Sequence, residues 1–288
     1  MKAVLVCPSQ RNSVRLLSEA TPLVTTPLLG QSLVEYWLSY LATQKYRQVT
    51  ILAHDRPERI EALVGKGERW GLEVEVLAES RELTPAQASL KLGTYPPGEN
   101  AEQFVTVIDH FPDHPEWRLF DSYADWFSAL LNFIPLARTP DRVGIRELSS
   151  GVWASHSARI SPHASLEAPC FVGRNVIVGP HAVVGPGAVI EDGALIDRGA
   201  SVIQSCVGAD TFVGRYAELT DSVALGETLV NWKTGSITPV PDRFLLCSLR
   251  RSHDAEAAPL LGELSQLCSR NLEEAQLLWK HLLMNREG

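Results

Sequence analysis

Branched apolar residues recur at every sixth position through the second half of this chain. Ile160, Leu166, Val172, Val178, Val184, Ile190, Ile196 and Val202 keep the strict interval, and after a one-residue slip Val207, Val213, Leu219 and Leu225 continue it. Four positions after most anchors stands a small residue (Ala164, Cys170, Ala182, Ala188, Ala194, Ala200, Thr211, Ala217), and Gly, Pro, Asp, Asn and His crowd the two positions between. A period of six suits neither a 3.6-residue helix nor a chain of hairpins. It suits a parallel β-helix in which each hexad is a short strand plus a corner. The branched anchor points inward, the small residue lets the wall turn, and the Gly or polar pair makes the bend. Three hexads close a triangular turn of about eighteen residues, so the run supplies roughly four turns. Trp232, in the Asn231–Gly235 stretch that leaves the run, is expected to plug the open end, because a solenoid must hide its last core layer.

The first half alternates between two other patterns. Lys2 to Cys7, Val49 to Ala53, Leu72 to Leu77 and Phe104 to Ile108 read as strands. Ser32 to Tyr46 carries a helical stripe (Leu33, Tyr36, Trp37, Tyr40, Leu41), Pro57 to Val64 has Pro near its first turn and Gly65 near its end, Thr84-Pro85 opens a short helix, and another lies within Asp121 to Phe133. Such alternation predicts a three-layer α/β domain on a mainly parallel sheet. Ligands on such sheets bind beyond the carboxyl ends of the strands, so the loops after Val6, Ala53 and Ile108 are the places to search. From Pro259 onward Leu261, Leu264, Cys268, Leu272, Ala275, Trp279 and Leu282 recur at helical steps, which predicts an amphipathic helix or helix pair packed on the coil or on a second subunit. The expected division is 1–146 for the α/β domain, 147–235 for the β-helix and 236–288 for an exit segment and helical tail.

The repeat unit, as in Val178-Gly179-Pro180-His181-Ala182-Val183, resembles the [LIV]-G-x-x-A-x unit of the hexapeptide-repeat family, and that resemblance implies a left-handed coil. The first half resembles the sugar-1-phosphate nucleotidyltransferases, or NDP-sugar pyrophosphorylases. The likeness runs through Thr21-Pro22, then Pro27-Leu28-Leu29-Gly30-Gln31-Ser32-Leu33-Val34-Glu35-Tyr36, and Gly65-Lys66-Gly67-Glu68-Arg69-Trp70-Gly71-Leu72-Glu73-Val74, which is similar to the family's stretch before its third strand. It implies a Rossmann-like nucleotidyltransferase-type domain and the reaction of an NTP with a sugar 1-phosphate to give NDP-sugar and pyrophosphate. On that reading Arg11 and Arg15 supply catalytic cations, and Asp109 is both catalytic and the magnesium ligand. Ser9, Gln10, Ser13, Ala86 and Gln87 would then meet the substrate.

The chemistry-bearing positions depart from that family. Its glycine-rich loop is Cys7-Pro8-Ser9-Gln10-Arg11-Asn12-Ser13 here, with no glycine and with a proline that removes a donor. The motif's Arg falls on Ser13, its Lys on Leu23, and its G-T-A-G stretch appears as Thr84-Pro85-Ala86-Gln87. Bare N–H groups and cations are what cradle and neutralise a phosphoryl group in transfer, so these replacements argue against turnover. A non-catalytic nucleotide-binding, regulatory or scaffold relative is the alternative. A third reading is a hexapeptide-repeat acyltransferase using His163 or His181 as its base, since the two fall on one corner of successive turns. Asp109-His110-x-x-Asp113-His114 is either an O/N metal site or a polar loop.

Charge and cysteine usage narrow the partners. A net charge of −8 argues against nucleic-acid coating and against a membrane surface, and leaves a small anionic ligand open. The apolar run Ala3 to Cys7 is too short for a signal peptide or a membrane span. Five scattered cysteines without a C-x-x-C pair indicate a reducing cytoplasm. The expected partners are a nucleotide or sugar nucleotide and a second copy of the chain, met through the β-helix or the C-terminal helix.

Overall fold

The computed structural model describes residues 1–92, 105–111, 114, 118–138 and 144–250. In chain order the first half forms β1 (Lys2–Val6), α1 (Arg15–Ser18), β2 (Pro27–Leu28), β3 (Gln31–Ser32), α2 (Leu33–Thr43), β4 (Gln48–Ala53), α3 (Pro57–Val64), β5 (Glu73–Ala78), α4 (Pro85–Leu92), β6 (Thr106–Ile108) and α5 (Tyr123–Phe133). Strands β1, β4, β5 and β6 run parallel in the order β5-β4-β1-β6. Ala3 to Val6 are buried without interruption, as expected of a strand covered on both faces. Helix α2 begins on a capping box: Glu35 N–H donates to Ser32 Oγ at 3.4 Å, and Ser32 N–H donates to Glu35 Oε2 at 2.9 Å. Helix α3 runs from Pro57 and stops at Gly65, whose positive φ of 56° suits glycine.

The second half opens with an antiparallel pair, β7 (Ile145–Ser149) and β8 (Val152–Ser155). There follow β9 (Arg159–Ile160), β10 (Ser165–Leu166), β11 (Cys170–Val172), β12 (Ile177–Val178), β13 (Val183–Val184), β14 (Ala188–Ile190), β15 (Leu195–Ile196), β16 (Ser201–Ile203), β17 (Ser205–Val207), β18 (Thr211–Val213) and β19 (Glu218–Thr220). The set ends with β20 (Ser222–Leu225), β21 (Thr228–Asn231), β22 (Ile237–Pro239) and β23 (Leu246–Ser248). From β8 to β17 each strand pairs in parallel with the strand three further along, and the last strands close antiparallel, β20 on β21 and β18 on β23. This builds three faces: β8-β11-β14-β17-β20, β9-β12-β15-β18 and β10-β13-β16-β19. The six-residue period is therefore realised as a three-faced coil. Val184 stacks between Leu166 and Val202 in register, and every anchor from Val172 to Val213 is buried in the coil's own core.

Two expectations about this coil are corrected. The inward residue that follows Leu219 is Ala224 rather than Leu225; Ala224 pairs with Val207 and is fully buried, while Leu225 is half-buried and packs on the other core. The reason is the corner. Gln204 and Asp221 each turn the chain alone, with φ of 46° and 52°, so the hexad shrinks at both places and the series slips twice. Trp232 does not plug the coil. Its ring stacks on Phe127 of α5 at 4.8 Å, and its Nε1–H donates to the Gln204 carbonyl at 2.8 Å. Leu229 and Val240 pack against the coil's own core instead.

The face beginning with β8 is apolar on its outer side too. Trp153, Phe171, Val189, Cys206 and Val223 are buried in one cluster with Trp37, Trp126, Phe127 and Leu130, so the α/β part and the coil share a core. Met1–Leu249 consequently form one compact unit, within which the expected boundary at 146 falls inside β7 and the expected end at 235 precedes β22 and β23. A polar clamp reinforces this seam. Leu29 and Gly30, both at positive φ (56° and 77°), form the turn between β2 and β3. Their N–H groups donate to Glu191 Oε1 and Oε2 at 2.8 and 2.7 Å. Beside it, Arg174 donates to Asp192 at 2.8 Å and to the Gly30 carbonyl at 3.1 Å. The amphipathic stretch expected from Pro259 onward lies outside the described residues.

Candidate functional site

The strand order fixes where a ligand can sit. From β1 the chain moves outward to β4 and β5, then returns to place β6 on the other side of β1, so the connections diverge at the carboxyl ends of β1 and β6. Open parallel sheets bind ligands in that crevice. A cleft of about 790 Å³ lies there, with Val6, Pro8 and Arg11 on one side and Asp109, His110 and Phe111 on the other. Glu82, Thr84, Arg118 and Asp121 add polar side chains to the lining, and the volume is that of a small-ligand site. Of the three loops expected to hold ligand, those after Val6 and Ile108 line the cleft and the one after Ala53 does not.

The loop after β1 is held by an internal carboxylate. Arg11 donates to Glu82 through Nη1 at 2.7 Å and Nη2 at 2.6 Å, and Ser9 N–H donates to Glu82 Oε2 at 3.0 Å. Arg11 Nη1 also reaches the Ser9 carbonyl at 3.2 Å. Burial pulls the Glu82 carboxyl upward, but the Arg11 guanidinium and the Ser9 N–H outweigh it and leave its pKa below the usual carboxylate range. The hydrogen bond to Glu82 in turn raises Arg11. Cys7, directly before this loop, is buried and its thiol is pushed up, first by burial and then by the charge of Glu82.

The other proposed site residues are dispersed. Arg15 is exposed on α1 and does not line the cleft, so Arg11 and Arg15 do not converge. Gln10 is exposed, and Ser13 Oγ donates to the Phe120 carbonyl at 3.2 Å. Leu23, where the family carries Lys, is fully buried in the core. Thr84 and Gln87 cap α4 together: Gln87 N–H donates to Thr84 Oγ1 at 3.3 Å and Thr84 N–H to Gln87 Oε1 at 3.1 Å. Ala86 is exposed in the first turn of that helix and, like Gln87, does not line the cleft.

Asp109 stands at the end of β6 facing the cleft, and its Oδ1 lies 2.9 Å from His110 Nδ1. Asp113 lies outside the described residues. No group of three metal-ligating side chains occurs among the described residues. Magnesium commonly takes one or two carboxylates and lets substrate phosphates complete its shell, a pattern Asp109 fits. Arg118, which also lines the cleft, lies 3.6 Å from Asp121.

The two histidines do meet. His163 and His181 stack with ring centroids 5.7 Å apart and 24° between planes, and His181 N–H donates to the His163 carbonyl at 3.0 Å. Both rings are exposed on a coil corner and neither borders the cleft.

The chain matches no known family model, and no curated protein matches it. The geometry therefore carries the functional argument. Glu82, Arg118 and Asp121 are charged cleft residues outside every motif named above. They belong to no short motif, and Glu82 is 71 positions from the arginine it holds. No helix among the described residues is long and apolar enough to cross a membrane.

Proposed function

We propose that this protein is a relative of the sugar-1-phosphate nucleotidyltransferases that binds a nucleotide or sugar nucleotide in the cleft at the ends of β1 and β6 without turning it over. On this reading the first half is a shortened Rossmann-like nucleotidyltransferase domain and the coil is a left-handed hexapeptide β-helix. One observation carries the non-catalytic reading: at rest Arg11 and the Ser9 N–H are held by Glu82 of the same chain, so they are not preorganised for the transferred group and an incoming phosphoryl must first evict that carboxylate. Phosphoryl transfer depends on preorganised donors and cations aimed at the charge that develops on the transferred group. Here Arg11 and Arg118 each have a carboxylate within ion-pair distance.

Should magnesium accompany the ligand, Asp109 would hold it and the metal would neutralise diphosphate charge. The buried free thiols of Cys7, Cys170 and Cys206 suit a reducing cytoplasm. Self-association through the coil belongs to the same proposal, and the face bearing Ile177, Leu195 and Phe212 offers half-exposed apolar side chains for it.

The test is a panel of NTPs with sugar 1-phosphates, read both for pyrophosphate release and for thermal shift. Ligand-dependent stabilisation without pyrophosphate supports the reading. Stoichiometric turnover overturns the non-catalytic part, and a flat thermal response to every nucleotide and sugar nucleotide overturns the binding part.

A further inference from the structure

We infer that Ser9 and Arg11 form a receptor for a phosphoryl group, and that Glu82 is its built-in competitor, displaced when a phosphorylated ligand enters. The inference rests on the reading of the cleft as a nucleotide or sugar-nucleotide site. Donor accounting along the loop supports it. Cys7 N–H is spent on the Leu52 carbonyl at 3.0 Å, Pro8 has no N–H, and Ser9 N–H is the next donor of the loop. That donor and the two-pronged edge of Arg11 converge on the two oxygens of one carboxylate. A guanidinium edge plus a backbone N–H is equally a phosphate-binding set, because carboxylate and phosphate offer the same paired oxygens to an arginine fork.

The pair is accessible. Side-chain exposures of 37% for Arg11 and 32% for Glu82, with both residues lining the cleft, mean that a ligand meets the contact directly. Glu82 can also leave without unmaking structure. It lies between β5 and α4, and the cap of α4 is made by Thr84 and Gln87 rather than by Glu82. The carboxylate thus holds the loop in a binding-ready shape and lowers the affinity of any anion that must evict it.

The experiment is calorimetric titration of the full chain with inorganic pyrophosphate at fixed ionic strength, on wild type, E82Q, E82Q/R11Q and D121N, each first checked for a wild-type circular-dichroism spectrum. Releasing a charge-assisted contact corresponds to roughly tenfold or more in affinity. The expected result is that E82Q binds pyrophosphate at least about tenfold tighter than wild type, that R11Q erases the gain, and that D121N gives a clearly smaller one. D121N removes the same charge from the cleft but from the partner of Arg118. Equal affinities for E82Q and wild type overturn the proposal, as do equal gains for E82Q and D121N. Should E82Q fail to fold, Glu82→Asp, which keeps the charge but shortens the reach, carries the same expectation and the same refutation. Nucleotide titrations separate this from the functional reading: pyrophosphate gain with no nucleotide binding in any variant upholds the competitor and overturns the nucleotide assignment.

Discussion

Replacing Glu191 by Ala should loosen the whole unit, although the residue does not line the cleft. The residue is 2% exposed, and its carboxylate receives the N–H groups of Leu29 and Gly30. Truncation leaves both donors without that acceptor. The Leu29 bond is fully buried, and a buried hydrogen bond to a charged group contributes about 2 kcal/mol; the Gly30 bond, at a half-exposed turn, contributes about 1 kcal/mol. The sum of about 3 kcal/mol converts, at about 2–4 °C per kcal/mol for a unit of this size, to a fall in Tm of roughly 6–12 °C. Glu191→Gln keeps one acceptor and turns an NH₂ toward the other N–H, so it should lie between wild type and Ala. Gly30→Ala adds a Cβ 3.1 Å from Asp192 Oδ1 at a φ of +77° and attacks the same clamp from the other side. The double variant should therefore lose less than the sum of the singles. Differential scanning calorimetry at neutral pH reads all of this. A Glu191→Ala melt within about 2 °C of wild type would show that the clamp is incidental and the apolar seam alone holds the halves together.

Three further outcomes follow from the same geometry. Val184→Asp places a lone carboxylate between Leu166 and Val202 in a fully buried layer and should abolish cooperative melting by circular dichroism; a wild-type curve would refute the inward assignment. Glu82 has a folded pKa below its ordinary value of 4.5, so its contribution to stability is complete above about pH 4.5 and is lost as pH falls through the lower folded value. The Tm gap between wild type and E82Q should accordingly shrink in acid, and a gap constant from pH 7 to pH 3 would contradict the pairing. Burial pushes Cys170 up to about 12 and raises Cys7 and Cys206 as well, so these three thiols should resist alkylation at pH 8 until denaturant is added, as peptide mass spectrometry can read.

What the chain disclosed in advance was whatever repeats or punctuates locally. Anchors six apart announce the coil because each hexad solves its folding problem in the same way. Pro57 with Gly65, and Thr84 with Pro85, mark helix ends through backbone chemistry that needs no distant partner. Features made by distant residues were silent. Leu29 would not be picked for a turn at positive φ, and it is held there by a carboxylate 162 positions away. The outer stripe of Phe171, Val189, Cys206 and Val223 is one apolar residue per turn, a pattern that strand propensity alone would produce, and only the helix α5 packed against it gives it meaning. The slip at Leu225 escaped for a smaller reason: a single residue, Asp221, does the work of a two-residue corner. In the cleft, Arg11 was legible as a cation after the first strand and Asp109 as a carboxylate after the fourth. Glu82, which decides what Arg11 can do, carries no local signature.

The continuous slab of side chains from Trp37 through Phe127 to Phe171 and Val189 has a mechanical meaning. Proteins that clasp their substrates by swinging one lobe over another need a joint that can part and water ready to fill it. A joint of interlocked aromatic and aliphatic groups resists both. On the proposed reading, admission of a guest at the tip of the opening strand is then a matter of side chains and short loops, and the prism behind them serves as a fixed anvil rather than a jaw.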